Sequence, residues 1–448
     1  MENIFTKYSI GEIIEKYRNK ELTPKQVADA CISRVKELEP KYQAWVCFDE
    51  NKLIAQAKSA DSGAGDKLLS GIPVGVKDIF NTYDFPTQMG SPLWNDFEPG
   101  NDARAVFNLK RQGAVIPGKT VTAEFAVHTL DKTLNPHDIS KTPGTSSSGS
   151  AAAIAMGMVP VAIGTQTAGS IVRPASFCGI YGCKPSFGLI PRTGILKTTD
   201  SLDTIGFFTV WQKDLKRVFD SIRVSGKDYP ISNRALNDKD RQVKPKDRPW
   251  RAAFVKTHTW ENAYDYAKKS MTDFVEKLRA VKDIEISEVE LPEIMKNSHE
   301  VHATIYNKTL SYYFKNEFKK SELVSPIMND LIRQGNGISV EKYQEALKEQ
   351  EKMQEQMDGF FDKYDIIISL STAGEAPPRN EIERPDPALI WTLLHLPVVS
   401  IPQFISPDNL PFGMQAVARK YDDYLLFDFI GYLAELKLLP EKSNPLIN

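Results

Sequence analysis

The chain is poor in features that mark several large protein classes, and each gap narrows the field. It has four cysteines, Cys31, Cys47, Cys178 and Cys183, too few and too scattered for a disulfide framework. Cys178 and Cys183 lack the spacing of a metal-binding pair, so buried thiols in a reducing compartment are expected. No apolar run is long enough to cross a bilayer. The opening residues MENIFTKYSIGEIIEKYRNKEL mix charges through the stretch where a signal peptide would be apolar. A cytoplasmic location and no membrane contact are therefore expected. Net charge is only −2, which gives no electrostatic pull toward nucleic acid or an anionic lipid surface. There is no internal repeat and no low-complexity tail.

What is present is an ordinary globular composition, 41% apolar and 25% charged over 448 residues, so a large core must form. Length alone suggests two or three domains. Ser9-Ile-Gly-Glu12 has the form of a capping box, and Thr23-Pro24 opens a second helix that Pro40 is expected to close. Gly71–Phe80 reads as a strand, with Ile72, Val74 and Val76 on one face and Lys77 on the other. A helix is expected over 103–112 and a strand over 114–116. Residues 226–249 are polar and proline-bearing, a surface loop or a seam. Beyond it strands and helices alternate: strand 252–255, helix 262–281, strand 284–291, helix 340–364, strand 365–370, strands 397–402 and 412–418, and a closing helix 422–438. Such alternation predicts an α/β fold with a sheet covered by helices on both faces.

One stretch organises the chain: residues 141–186, KTPGTSSSGSAAAIAMGMVPVAIGTQTAGSIVRPASFCGIYGCKPS. Its apolar run, Ala151–Gly164, is too short for a membrane span and belongs in a core. A hydroxyl-rich loop lies at each end, the second being Thr165–Ser170. Two Ser/Thr/Gly loops on a buried scaffold can supply a nucleophile and several backbone N–H donors. Lys77 has two readings. It is an edge-strand lysine whose stem reaches water, or a buried amine neutral enough to act as a base. Its neighbour Asp78 reads as structural.

Other motifs carry less. Gly113-Ala-Val-Ile-Pro-Gly-Lys-Thr120 fits the phosphate-loop pattern, but its middle reads as a strand and Pro117 removes a donor N–H, so it is taken as a false match. The six histidines are dispersed. His299 and His302 lie three apart on a candidate helix without a third metal ligand. No G-x-S-x-G elbow is present.

With Lys77, PGTSSSGSAAA and TQTAGSIVRPASFCG in hand, the chain resembles the amidase signature family, strongly over 71–206 and weakly over most of its length. The segments PDPALIWTLLHLPVVSIP and NLPFGMQAVAR add to the likeness. The resemblance implies one α/β domain over 1–448 with a large mixed, mostly parallel sheet: N-terminal helices to residue 70, a signature core 71–210, the polar seam 226–249, and a carboxy-terminal α/β part 250–448. It implies a Ser-Ser-Lys triad with Ser170 as nucleophile, Ser146 as bridging serine and Lys77 as ultimate base. Thr167, Ala168, Gly169 and Ser170 would supply the oxyanion N–H groups. No metal and no organic cofactor is implied. The expected activity is hydrolysis of a small, non-peptide carboxamide through an acyl-enzyme. The alternative is the glutaminase subunit of a tRNA-dependent amidotransferase, which would need a partner protein. A homodimer is an open option.

Three departures from the family pattern stand out. Thr145 replaces the usual glycine before the bridging serine, where the family has a cis peptide. Gln166 and Ala168 replace a common aspartate and glycine. Arg173 lies three residues after Ser170, where most members carry arginine two residues after it. A malonamidase-like subset shares the later position, and there the guanidinium holds a substrate carboxylate. The other reading of Arg173 is a salt bridge that anchors its helix.

Overall fold

The computed structural model describes residues 3–63 and 65–443. Both helix starts carry the expected caps. Ser9 and Glu12 close a capping box on Ile10–Arg18, and Thr23 with Gln26 does the same for Pro24–Tyr42. Pro40 does not close that second helix. It sits inside the last turn, and the helix stops at Tyr42 because Gln43 turns left-handed at φ 53°. Similarly, no strand forms over 114–116. Val115 makes one isolated bridge to Pro73, and the strand comes later, at Gly118–Thr120. Gly118 permits it, since a Cβ there would lie 2.0 Å from the carbonyl oxygen of Cys47 on the neighbouring strand.

Eleven strands form one sheet: β1 (Trp45–Phe48), β2 (Val74–Lys77), β3 (Gly118–Thr120), β4 (Val161–Gln166), β5 (Tyr181–Lys184), β6 (Thr204–Thr209), β7 (Trp250–Val255), β8 (Ile284–Val289), β9 (Ile366–Leu370), β10 (Val398–Ile405) and β11 (Pro411–Ala418). Their order is β1-β3-β2-β4-β6-β5-β10-β11-β9-β7-β8. One α/β domain results, because the late strands β10 and β11 join the two halves of the chain.

The sheet is mixed, as expected, but it is not mostly parallel. Parallel pairing is confined to β2 with β3 and β4, and to β7 with β8 and β9. The six remaining neighbour pairs are antiparallel. For two of them, β5 with β6 and β10 with β11, the cause is connectivity. No helix separates β5 from β6 or β10 from β11, and strands joined without a crossover pair antiparallel.

Strand alternation then sorts the interior into two cores. On β7, Ala252 and Phe254 face one core, and Ala253 and Val255 the other. Helices Pro24–Tyr42, Asp214–Ile222, Asp265–Arg279 and Asp423–Glu435 pack on the first core, and Ser298–Tyr313, Pro326–Asn336 and Val340–Phe361 on the second. The polar stretch 226–249 is not a bare seam. It contains the helix Pro230–Leu236, and its far end is anchored where the Arg248 guanidinium grips Asp365 at 2.6 and 2.8 Å.

Candidate active site

Lys77 ends β2, which is flanked by β3 and β4 and is buried along its whole length. The edge-lysine reading therefore falls. Its ammonium nitrogen lies 2.9 Å from Ser146 Oγ, 3.0 Å from Ser147 Oγ and 3.1 Å from Thr165 Oγ1. Burial pushes its pKa well below the ordinary lysine value, and the charge of Asp203 opposes that shift only in part. Three hydroxyls suit both protonation states: an ammonium donates to all three, while an amine donates two bonds and accepts one.

Ser146 lies in the tight turn Thr145–Ser147 that leads into helix Ser148–Ala155. Its hydroxyl donates to the carbonyl of Ala126 at 2.9 Å. Among the described residues no peptide bond is cis, in contrast to the family expectation; Thr145 instead takes φ 65°. Such a conformation is uncommon for a β-branched residue. Gly144 before it must be glycine, since a Cβ there would lie 2.5 Å from the Pro174 Cα.

The loop 166–170 leaves β4 and reaches helix Val172–Phe177. Gln166, the departure from aspartate, accepts from the N–H groups of Ile171 and Val172 at 2.8 and 2.9 Å, and so caps that helix through its amide oxygen. The next three carbonyls are engaged. Thr167 O accepts from His302 Nε2 at 2.8 Å, Ala168 O from the Thr392 hydroxyl at 2.6 Å, and Gly169 O from Arg173 N at 2.8 Å. The N–H groups of Ala168, Gly169 and Ser170 donate to no other described residue. A loop with engaged carbonyls and uncommitted amides is suited to receive an anion. Burial pushes His302 down to about 4, so it is a neutral donor at pH 7.

Ser170 itself is 7% exposed. Its hydroxyl bonds to no other described residue, so the link from Ser146 to Ser170 is not closed, whereas the link from Lys77 to Ser146 is. Open links of this kind occur in catalytic sites without substrate.

Arg173 has two charge partners within the fold, although its Nε makes no hydrogen bond among the described residues. It meets Glu383 at 3.0 Å and Asp386 at 3.1 Å, both on the segment between β9 and β10. Glu383 also accepts from Thr145 Oγ1 at 3.2 Å. The guanidinium thus ties helix Val172–Phe177 to that segment.

Ser147, Thr165, Asp203, Thr392, Glu383 and Asp386 were not singled out from the sequence, and His302 was weighed only as a metal ligand. Ser147 and Thr165 sit in the two hydroxyl-rich loops, and Asp386 and Thr392 in the quoted segment PDPALIWTLLHLPVVSIP, which were the available signals; Asp203 and Glu383 come from distant stretches with none. The phosphate-loop match dissolves. Lys119 is fully buried, 3.0 Å from Asp78, and donates to the carbonyl of Phe80 and the hydroxyl of Thr87, both at 2.8 Å. Asp78 is structural, as read. His258 Nε2 meets His299 Nδ1 at 2.6 Å. Among the described residues, no three histidine, cysteine or acidic side chains gather where they could hold a metal ion. No helix among them is long and apolar enough to cross a membrane.

Known proteins resemble the chain in sequence and in fold. A family model described as Amidase matches residues 26–427. A glutamyl-tRNA(Gln) amidotransferase subunit of Bacillus pumilus is 30% identical, over 93% of this chain and 94% of its own. Its counterpart from Alkaliphilus metalliredigens is also 30% identical, over 97% of both. Among solved structures, one described as an amidase has a TM-score of 0.84 at 24% identity, covering 97% of this chain and 100% of its own. The peptide amidase of Stenotrophomonas maltophilia has a TM-score of 0.80 at 23% identity, covering 97% and 98%. At those identities the structures speak for the fold.

Proposed function

Because the chain belongs to the amidase family and is an amide-hydrolysing enzyme, we propose that it cleaves a small, non-peptide carboxamide through an acyl-enzyme on Ser170. The observation that carries this reading is the buried contact of Lys77 with Ser146, set beside a loop whose amides are uncommitted. Neutral Lys77 draws a proton from Ser146 as Ser146 takes one from Ser170. The Ser170 oxygen attacks the amide carbonyl. The N–H groups of the 167–170 loop hold the oxyanion that forms, an interaction whose loss costs on the order of 3 kcal/mol per donor in comparable sites. The relay returns the proton to the departing nitrogen, and the C–N bond breaks. Water then repeats the sequence on the acyl-enzyme and releases the carboxylate. These steps use side chains, backbone and water alone.

The direct test is to trap the acyl-enzyme by mass spectrometry during turnover of simple amides. The adduct should map to the peptide containing Ser170, and Ser170→Ala should abolish ammonia release with the fold kept. An adduct on Cys178 would overturn the assignment.

A second reading is favoured by the names of the curated relatives, which are amidotransferase subunits. The same triad would release ammonia from glutamine for a partner protein. Glutaminase activity that appears only with co-purifying chains would favour it; turnover of simple amides by the isolated chain would favour the first.

For Arg173, a substrate carboxylate could be bound only in competition with Glu383 and Asp386. We therefore assign the guanidinium to holding the 383–386 segment against the nucleophile helix.

A further inference from the structure

Asp203 is 4% exposed and begins the turn into β6, well outside the two signature loops. Its carboxylate is enclosed by donors. It accepts from the N–H groups of Thr198 and Thr199 at 2.8 and 3.0 Å, from both of their hydroxyls, and from Thr167 Oγ1 at 2.8 Å. Four of these five bonds are local to 198–203. The fifth reaches across to the residue that opens the nucleophile loop. The Arg192 guanidinium braces the same turn through the carbonyl of Asp203 at 3.2 Å. The charged and titratable groups facing this cluster are Lys77 and the buried phenol of Tyr306.

Thr167 is thus held twice, by its hydroxyl on Asp203 and by its carbonyl on His302. Its backbone sets where the next three amides stand. A carboxylate anchor suits this task, because hydrogen bonds to an ionised acceptor are shorter and stronger than neutral ones. The anchor itself is fixed by the local turn, so it does not yield when the loop is pulled.

We propose that Asp203 is a positioning residue for the reaction: through Thr167 Oγ1 it fixes the loop whose amides precede Ser170. The role rests on Ser170 being the nucleophile, and the test separates the two claims. A fluorophosphonate probe reports the nucleophile without knowledge of the natural amide. It labels a base-activated serine at a rate sensitive to the oxyanion donors, and mass spectrometry gives the site. If wild-type protein is not labelled at Ser170, the nucleophile assignment fails. If it is, the labelling rates of Thr167→Val and Thr167→Ser decide the positioning role. Valine keeps the volume and loses the donor, so labelling should slow about tenfold, the equivalent of one charge-assisted hydrogen bond at its lower limit. Serine restores the donor and should return the rate to within about twofold of wild type. Equal melting temperatures for the two variants exclude a general loss of stability. A Thr167→Val protein labelled at the wild-type rate, or a Thr167→Ser protein as slow as Thr167→Val, would overturn the proposal.

Discussion

The carboxylate of Asp386 rests on the Cα of Gly169, where a Cβ would come within 1.8 Å of Oδ2. That contact ties the residue before Ser170 to the segment that also carries Glu383. It explains why this position must be glycine while Ala168 beside it need not be. Gly169→Ala should push Asp386 off Arg173, lower stability by about 1–3 kcal/mol as overpacking does, and reduce amide hydrolysis at least a hundredfold. Thermal unfolding and ammonia release measure the two effects. A stable, active Gly169→Ala enzyme would mean that the segment is free to move.

Arg173→Leu would leave Glu383 and Asp386 without their shared counter-charge. Burial already raises the pKa of Asp386, and Arg173 is the charge that opposes this. Removing one partner of a buried pair costs about 3–5 kcal/mol, so the melting temperature should fall clearly and activity should drop on neutral and acidic amides alike. An unchanged melting temperature with KM raised only for anionic amides would assign the guanidinium to substrate.

Asp203 opposes the effect of burial on Lys77. Removing that negative charge lowers the Lys77 pKa further. With the neutral amine as the proposed base, the acid limb of kcat/KM should move to lower pH in Asp203→Asn, while Thr167→Val leaves it in place. A limb that stays put in a folded Asp203→Asn enzyme would remove Asp203 from the electrostatics of Lys77.

The candidate residues were legible because both serines lie in one continuous stretch and Lys77 interrupts an apolar strand. The supports were not. Asp203, His302, Thr392 and Asp386 reach the site from separate stretches, and only the folded sheet brings them to loop 166–170. Helix caps were readable at Ser9 and Thr23, since capping depends on residues three apart. Strand direction was not, because antiparallel pairing of β5 with β6 depends on what lies between them and not on their own residues. The helix Ser298–Tyr313 was only glimpsed through its histidines. It is buried on most sides, and polar residues such as Asn307 and Thr309 lie inside with its apolar ones, which blurs the periodicity.

The account depends most on a neutral Lys77. Burial lowers its pKa, so the amine form, scarce at neutral pH for an ordinary lysine with a pKa of about 10.4, becomes available to act as a base. The pH dependence of kcat/KM in wild type, Ser146→Ala and Lys77→Ala is the most direct measurement. Wild-type activity should rise with pH through the lowered Lys77 pKa. Lys77→Ala should lose that limb and at least a thousandfold in rate, with Ser146→Ala nearly as severe because it breaks the relay. A Lys77→Ala enzyme that kept wild-type activity and the same acid limb would contradict the account.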